Sequence, residues 1–134
     1  MRVVLDTNVF ISGVFFSGPP RRILEAWRDG KLSVAFSVEI LEEYQRVGDR
    51  LGEKYPSVDL RPFLQLLGVE GKLVDAGELD ERVSPDSDDD KFLACALAAG
   101  SKLVISGDSD VLEVSGWKGV KVVTPAEFVS QYLG

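Results

Sequence analysis

Val3-Val4-Leu5-Asp6, residues 3–6, and Leu103-Val104-Ile105-Ser106-Gly107-Asp108, residues 103–108, set the fold of this chain. Each is a short apolar run rich in Val, Ile or Leu, the pattern of a strand buried on both faces. Each also delivers an aspartate just past the strand's carboxyl end. In open α/β sheets ligands bind outside those ends, near the point where strand order reverses. Leu32 to Phe36 and Val120 to Val123 have the same character, and a weaker strand is expected at Lys72 to Val74. Helical stretches lie between them, at Arg21 to Arg28, Ser37 to Leu51, Leu60 to Leu67, Asp88 to Ala99 and Pro125 to Leu133. The last opens on a capping box, Thr124-Pro125-Ala126-Glu127, with proline at the first helical position. Gly77 to Ser87 is polar, carries Pro85, and is expected to be a loop. The alternation implies right-handed βαβ crossovers and an α/β fold: a three-layer sandwich with a central parallel sheet of four or five strands flanked by helices.

With 134 residues the chain has room for one domain, taken as 1–134. No apolar run approaches the ~18 residues that a membrane span needs. The first residues pass straight into a strand, without the regions of a signal peptide, so a cytoplasmic location is expected. The lone Cys95 has no disulfide or zinc partner and is expected to be inert packing. The chain has no histidine, which excludes Ser-His-Asp and Cys-His arrangements and imidazole as a general base. Hydrolysis would have to run on carboxylates, Lys, Ser or Thr, with a hard cation. The net charge of −7 argues against a broad basic surface for nucleic acid. Acids must then be concentrated at one site while basic residues elsewhere contact the backbone.

Placing each acid on its element narrows the candidates. On the helix from Ser37, the stripe Ile40, Tyr44, Val47, Leu51 faces the core. At ~100° per residue Glu43 lies roughly 70° from the stripe's centre and reaches a cleft, whereas Glu42 falls on the far side. Glu39 lies farther round than Glu43. In Asp86-Ser87-Asp88-Asp89-Asp90 the buried face of the following helix is Phe92, Leu93, Ala96 and Leu97. Asp89 falls on that face, while Asp88 and Asp90 diverge by roughly 90–110° and suit dipole compensation or capping. Asp110, two residues after Asp108, is either an N-cap or a further ligand.

Four or five carboxylates in one cleft repel by ~3 kcal/mol per pair at about 5 Å and an effective dielectric near 20. Either several are protonated with raised pKa values or a divalent cation sits among them. All-oxygen ligation favours Mg²⁺ or Mn²⁺ over zinc. Such an ion activates water for in-line attack on a phosphate, without a protein nucleophile.

Asp6-Thr7-Asn8, the Ser37 to Glu43 segment, Asp89-Asp90-Lys91-Phe92-Leu93 and Ser106-Gly107-Asp108-Ser109-Asp110 together resemble the PIN domain, in order and over nearly the whole chain. Within it the chain is most similar to VapC-like proteins, the toxins of toxin–antitoxin pairs. The resemblance implies a Rossmann-like, PIN-like fold and an endoribonuclease in which Asp6, Glu43, Asp89 and Asp108 hold Mg²⁺ or Mn²⁺, with Asp110 auxiliary. Asp90 remains an alternative to Asp89 in the motif; the helical wheel favours Asp89. Asn8 and Ser106 would orient ligands or water, although Asn8 also suits capping of the first helix and Ser106 a backbone-bonded buried hydroxyl. The resemblance further implies RNA as substrate, a small antitoxin protein as partner and a homodimer. Arg21, Arg22, Arg46, Arg50, Lys54 and Lys91 are candidates for RNA contact, each also readable as solvated surface.

Three rivals stand beside this reading. A phosphatase forming an aspartyl-phosphate on Asp6 usually wants a second aspartate two residues on, where this chain has Asn8. A receiver-type phosphoacceptor would gather its acids after the first strand. A PIN-fold binding module without catalysis would act through partners, and Val14-Phe15-Phe16 is its best contact surface unless those residues form one buried turn.

Overall fold

The computed structural model describes residues 1–79 and 81–134, so one position of the expected Gly77 to Ser87 loop lies outside the described residues. The strands are β1 (Arg2–Leu5), β2 (Ser33–Phe36), β3 (Lys72–Leu73), β4 (Leu103–Ile105) and β5 (Lys121–Val123). They form one five-stranded sheet in the order β3-β2-β1-β4-β5. Every pairing is parallel; Val3 stands opposite Val34 on one side and Leu103 on the other. Val3, Val4, Leu5, Val104 and Ile105 are wholly buried, as strands covered on both faces must be.

Chain order runs from β1 outward to β2 and β3, then returns across β1 to β4 and β5. The topological switch point therefore lies between β1 and β4, where a crevice opens past the carboxyl ends. Asp6 and Ser106 are the first residues beyond those two strands.

The helices are α1 (Thr7–Phe15), α2 (Pro19–Arg28), α3 (Val38–Lys54), α4 (Arg61–Glu70), α5 (Asp90–Ala99), α6 (Ser109–Glu113) and α7 (Pro125–Phe128). A 3₁₀ turn at Ser87–Asp89 leads into α5, and α7 widens into a π turn over Val129–Leu133. The capping box at Thr124 and Glu127 forms in both directions. Sequence periodicity does not disclose α1. Thr7, Val9, Phe10, Ile11, Gly13, Val14 and Phe15 are all buried, so the helix is apolar on nearly every side and shows no amphipathic stripe. Gly13 permits its close approach to α2: a Cβ there would lie 2.6 Å from Leu24 Cδ1 and 2.9 Å from the Pro20 carbonyl oxygen.

On α3 the expected inward stripe holds, with Ile40 and Tyr44 buried and Val47 and Leu51 half-buried. The Tyr44 ring stacks on Phe10 at 4.2 Å, and its hydroxyl donates to the Leu5 carbonyl at 2.5 Å, tying α3 to the end of β1. On α5 the expected face needs one correction. Phe92, Leu93 and Ala96 are buried, but Leu97 is exposed, because the inward stripe continues through Cys95 and Ala99 and leaves Leu97 on the outer side. The run Val14-Phe15-Phe16 divides: Val14 and Phe15 are buried and Phe16 is 44% exposed. No helix among the described residues is long and apolar enough to cross a membrane.

Candidate functional site

Asp6 leaves β1 in extended conformation and caps α1. Its Oδ1 accepts the Asn8 backbone N–H at 2.8 Å and its Oδ2 accepts the Ser106 hydroxyl at 2.5 Å. Ser106 is wholly buried, and its Oγ accepts the Asp108 N–H at 3.0 Å, so one hydroxyl joins the ends of the two central strands. Burial raises the Asp6 pKa, the bonds from Ser106 and Asn8 oppose the rise, and the nearby Asp108 and Glu43 charges add to it. Asn8 does not cap α1; Asp6 does, and the Asn8 side chain is exposed in the first turn.

Asp108 repeats the device on β4's side. It caps α6, with Oδ1 accepting the Asp110 N–H at 2.8 Å. Asp110 then points from the first turn of α6 toward Asp89, which stands at the entry to α5. One carboxylate oxygen from each of Asp89, Asp108 and Asp110 lies within 4.8 Å of the others, a spacing that one cation can bridge. Oδ2 of Asp89 is buried and has no hydrogen-bond partner among the described residues. Loss of hydration, then the charges of Asp108, Asp86 and Asp6, push the Asp89 pKa up to about 7, against the opposing pull of Lys91.

Glu43 enters from α3 but is otherwise engaged. Its Oε1 accepts the Thr7 hydroxyl at 2.5 Å and its Oε2 lies 2.6 Å from Lys91 Nζ and 3.8 Å from an Arg46 nitrogen. The structure therefore gathers Asp89, Asp108 and Asp110 into one trio, with Asp6 and Glu43 around it rather than in it. The neighbours of Asp89 differ from it in kind. Asp90 accepts the backbone N–H groups of Val83 at 3.0 Å and Ser84 at 2.7 Å, and so anchors the preceding loop. Asp86 caps the 3₁₀ turn, while Asp88, Glu39 and Glu42 are exposed.

Two of the six basic candidates are turned to structural use. Lys91 is directed inward, its side chain 15% exposed, onto Glu43 and the Asp88 carbonyl. Arg21 donates to the Val14 carbonyl at 2.8 Å and lies 5.6 Å over the Phe63 ring, so it locks α1 to α2 and α4. Arg22, Arg50 and Lys54 are exposed, and Arg46 keeps a side chain 67% exposed beside Glu43.

The donor set is entirely oxygen, and one of its atoms is buried without a partner. Asp89, Asp108 and Asp110 thus fit a hard divalent cation, which would replace the hydration that burial takes from Asp89 and offset the repulsion from its neighbours.

A family model described as PIN domain matches residues 2–110. The chain belongs to the PIN domain family. Among solved structures, this PIN domain is similar to a chain in the crystal structure of VapBC2 from Rickettsia felis bound to a DNA fragment from their promoter. The TM-score is 0.60 at 13% identity, over 92% of this chain and 98% of that one, a likeness of fold. Among curated proteins none matches the sequence. Within this PIN domain, one polar residue beside the acids has no role assigned from sequence. Thr7 belongs to the Asp6-Thr7-Asn8 motif, yet only the packing of α1 against α3 shows that its hydroxyl meets Glu43. The signal that was available is its place one residue past the strand-end acid, at the head of a helix.

Proposed function

We propose that this PIN domain is a metal-dependent endoribonuclease that hydrolyses RNA phosphodiesters, the toxin of a VapBC-like toxin–antitoxin pair. The observation that carries the reading is the trio Asp89, Asp108 and Asp110, with an unpartnered buried oxygen on Asp89. Those three would hold Mg²⁺ or Mn²⁺, and Asp6 and Glu43 supply negative potential around them. When bound, the ion supplies a water of lowered pKa and neutralises charge on the phosphate and the leaving oxygen.

The chain's own residues prepare the site. Ser106 fixes Asp6 and Asp108 relative to one another through a single hydroxyl. Lys91 and Thr7 hold Glu43, so that its charge is partly neutralised before a substrate arrives. Asp89 keeps its proton below about pH 7 and must release it on loading, so cation affinity rises with pH. Asp6 is 4% exposed and both its oxygens accept hydrogen bonds, which disfavours an aspartyl-phosphate on that residue. Cys95 is buried, with a pKa pushed up to about 12 by burial, and offers no thiolate. Hydrolysis by activated water, without a covalent intermediate, is the chemistry that remains.

The VapC-like assignment rests on the motif pattern and is supported by the fold likeness to a VapBC structure. With it come a small antitoxin protein as partner, a homodimer and a cytoplasmic location. The test is cleavage of a labelled single-stranded RNA by purified protein with Mg²⁺ or Mn²⁺, with EDTA, and with Asp6→Asn and Asp89→Asn. We expect cation-dependent cleavage that both substitutions abolish. Absence of cleavage with either cation over a range of RNAs would point instead to a non-catalytic binding module.

A further inference from the structure

A second feature lies next to the acids, in the groove between α1 and α3. This depression, of about 440 Å³, has Asn8 at one end and Arg50 and Lys54 at the other, with Ile11 and Leu51 in its floor. The volume is in the range that holds a small ligand, from about 300 Å³ upward. Phe16 forms one wall; it is 44% exposed, although its neighbour Phe15 is buried. The Phe16 ring meets Tyr55 at 5.5 Å and 87°, and Tyr55 in turn lies 5.6 Å beneath Lys54 Nζ. Phe16 is thus an exposed aromatic ring held in place, not a loose side chain.

Charge separates this groove from three other depressions. Those mix cations with acids: Arg82 and Lys91 with Glu39 and Asp88, Lys91 with Glu39 and Asp75, and Lys118 with Glu78 and Glu81. Among the described residues, the lining of the α1–α3 groove contains two cations and no acid, in a chain of net charge −7. Among the described residues Arg50 forms no ion pair. Position completes the case. Asn8, at the groove's near end, donates its N–H to Asp6. Arg50 and Lys54 follow Glu43 by seven and eleven residues on one face of α3, or about 10 and 16 Å along the helix at ~1.5 Å per residue.

We infer that the α1–α3 groove is a nucleotide subsite: Phe16 stacks a base of the single strand that flanks the scissile phosphate, and Arg50 and Lys54 bind the phosphates of that flank. The inference rests on the nuclease reading and names the form of its substrate, a single strand with at least one unstacked base. A duplex cannot lay a base face on Phe16. The arrangement of an aromatic platform beside cations is the general solution for holding single strands with little sequence preference.

The probe is a fluorescein-labelled single-stranded RNA of ~10 nucleotides, within the span that one small domain covers, followed by anisotropy in EDTA so that binding is read without turnover. Phe16→Ala is expected to weaken binding about 5- to 150-fold, with Phe16→Trp close to the parent protein. The double substitution Arg50→Gln, Lys54→Gln should lower the slope of log K against log salt by about 1.4, at ~0.7 per phosphate contact. In the cleavage assay the same variants should raise KM more than they lower kcat. Unchanged anisotropy and KM, with cleavage intact, would overturn the subsite and leave the nuclease reading standing. Loss of cleavage in the parent protein, with binding still dependent on Phe16, would do the reverse. Failure of the parent protein to bind the probe at all would overturn the subsite. If Phe16→Ala turns a dimer into a monomer on light scattering and leaves RNA binding unchanged, the groove belongs to a second copy of the chain.

Discussion

Replacing Asp89 with asparagine should make the metal-free protein more stable, although it removes a residue assigned to the cation site. The native carboxyl has its pKa raised from 3.8 to about 7. At ~1.4 kcal/mol per unit, charging it in the fold would cost ~4 kcal/mol if it were fully sequestered. One oxygen is buried but the side chain is not, and water screens the rest, so ~1–2 kcal/mol is the expected gain. For a chain of this size each kcal/mol moves Tm by ~3–5 °C, which gives a rise of ~3–10 °C. The sign follows from proton counting. Between about pH 4 and 7 the unfolded chain has released the Asp89 proton and the native chain still holds it, so stability falls as pH rises through that window and levels off above it. The amide of the variant carries no charge at any pH, so the variant lacks that slope. Thermal melts in EDTA should show the largest advantage near pH 8 and almost none near pH 4. Saturating Mn²⁺ should then reverse the order, because a ligand stabilises only a fold that binds it. An Asp89→Asn protein that melts at or below the parent temperature at pH 8 in EDTA, or whose advantage persists at pH 4, would refute the reasoning.

Two further substitutions separate neighbouring roles. Asp90→Ala should release the Val83 and Ser84 amides and cost ~2–3 kcal/mol in urea denaturation, while the Mn²⁺-induced Tm shift persists; loss of the shift at unchanged stability would make Asp90 the ligand in place of Asp89. Ser106→Ala removes the hydroxyl that bonds Asp6 Oδ2 and should cost ~1–3 kcal/mol at neutral pH. Because the Asp6 pKa is already raised and would rise further, that loss should shrink on acidification, and a loss independent of pH would argue against it.

The sheet was legible because it is made of strands buried on both faces, which leave unbroken apolar runs such as Leu103-Val104-Ile105. The same total burial hid α1. A helix packed against α2 and α3 with nearly every residue buried has no polar side, and Thr7 to Phe15 therefore carries no 3.6-residue stripe. Asp89 could be told from Asp90 by angle on the wheel, since that depends only on which residues face the core. The engagement of Glu43 could not, because Thr7 and Lys91 reach it from other elements, 36 and 48 positions away in the chain. Lys91 has a contact that its position in the chain did not disclose. Adjacent to an acid run it suggested a surface contact, whereas the cleft's charge draws its ammonium inward.

Capping and ligation stand as alternatives in the sequence for Asp110 and the 86–90 cluster, and the structure shows that one acid can do both, oxygen by oxygen. Asp108 caps α6 with Oδ1 and still contributes an oxygen to the trio. Asp6 caps α1 with one oxygen and accepts the Ser106 hydroxyl on the other, so both its oxygens have a partner in the fold. A carboxylate at a helix N-terminus is stabilised by the backbone whether or not a cation is present. That explains how two of these acids can be held close together in a folded chain without an ion. Asp89 has no such support: it accepts no side-chain cap bond at the start of α5, and one of its oxygens is buried and bare. The acid with no structural employment is therefore the one whose pKa stands near neutrality, and the one whose charge state a cation must decide.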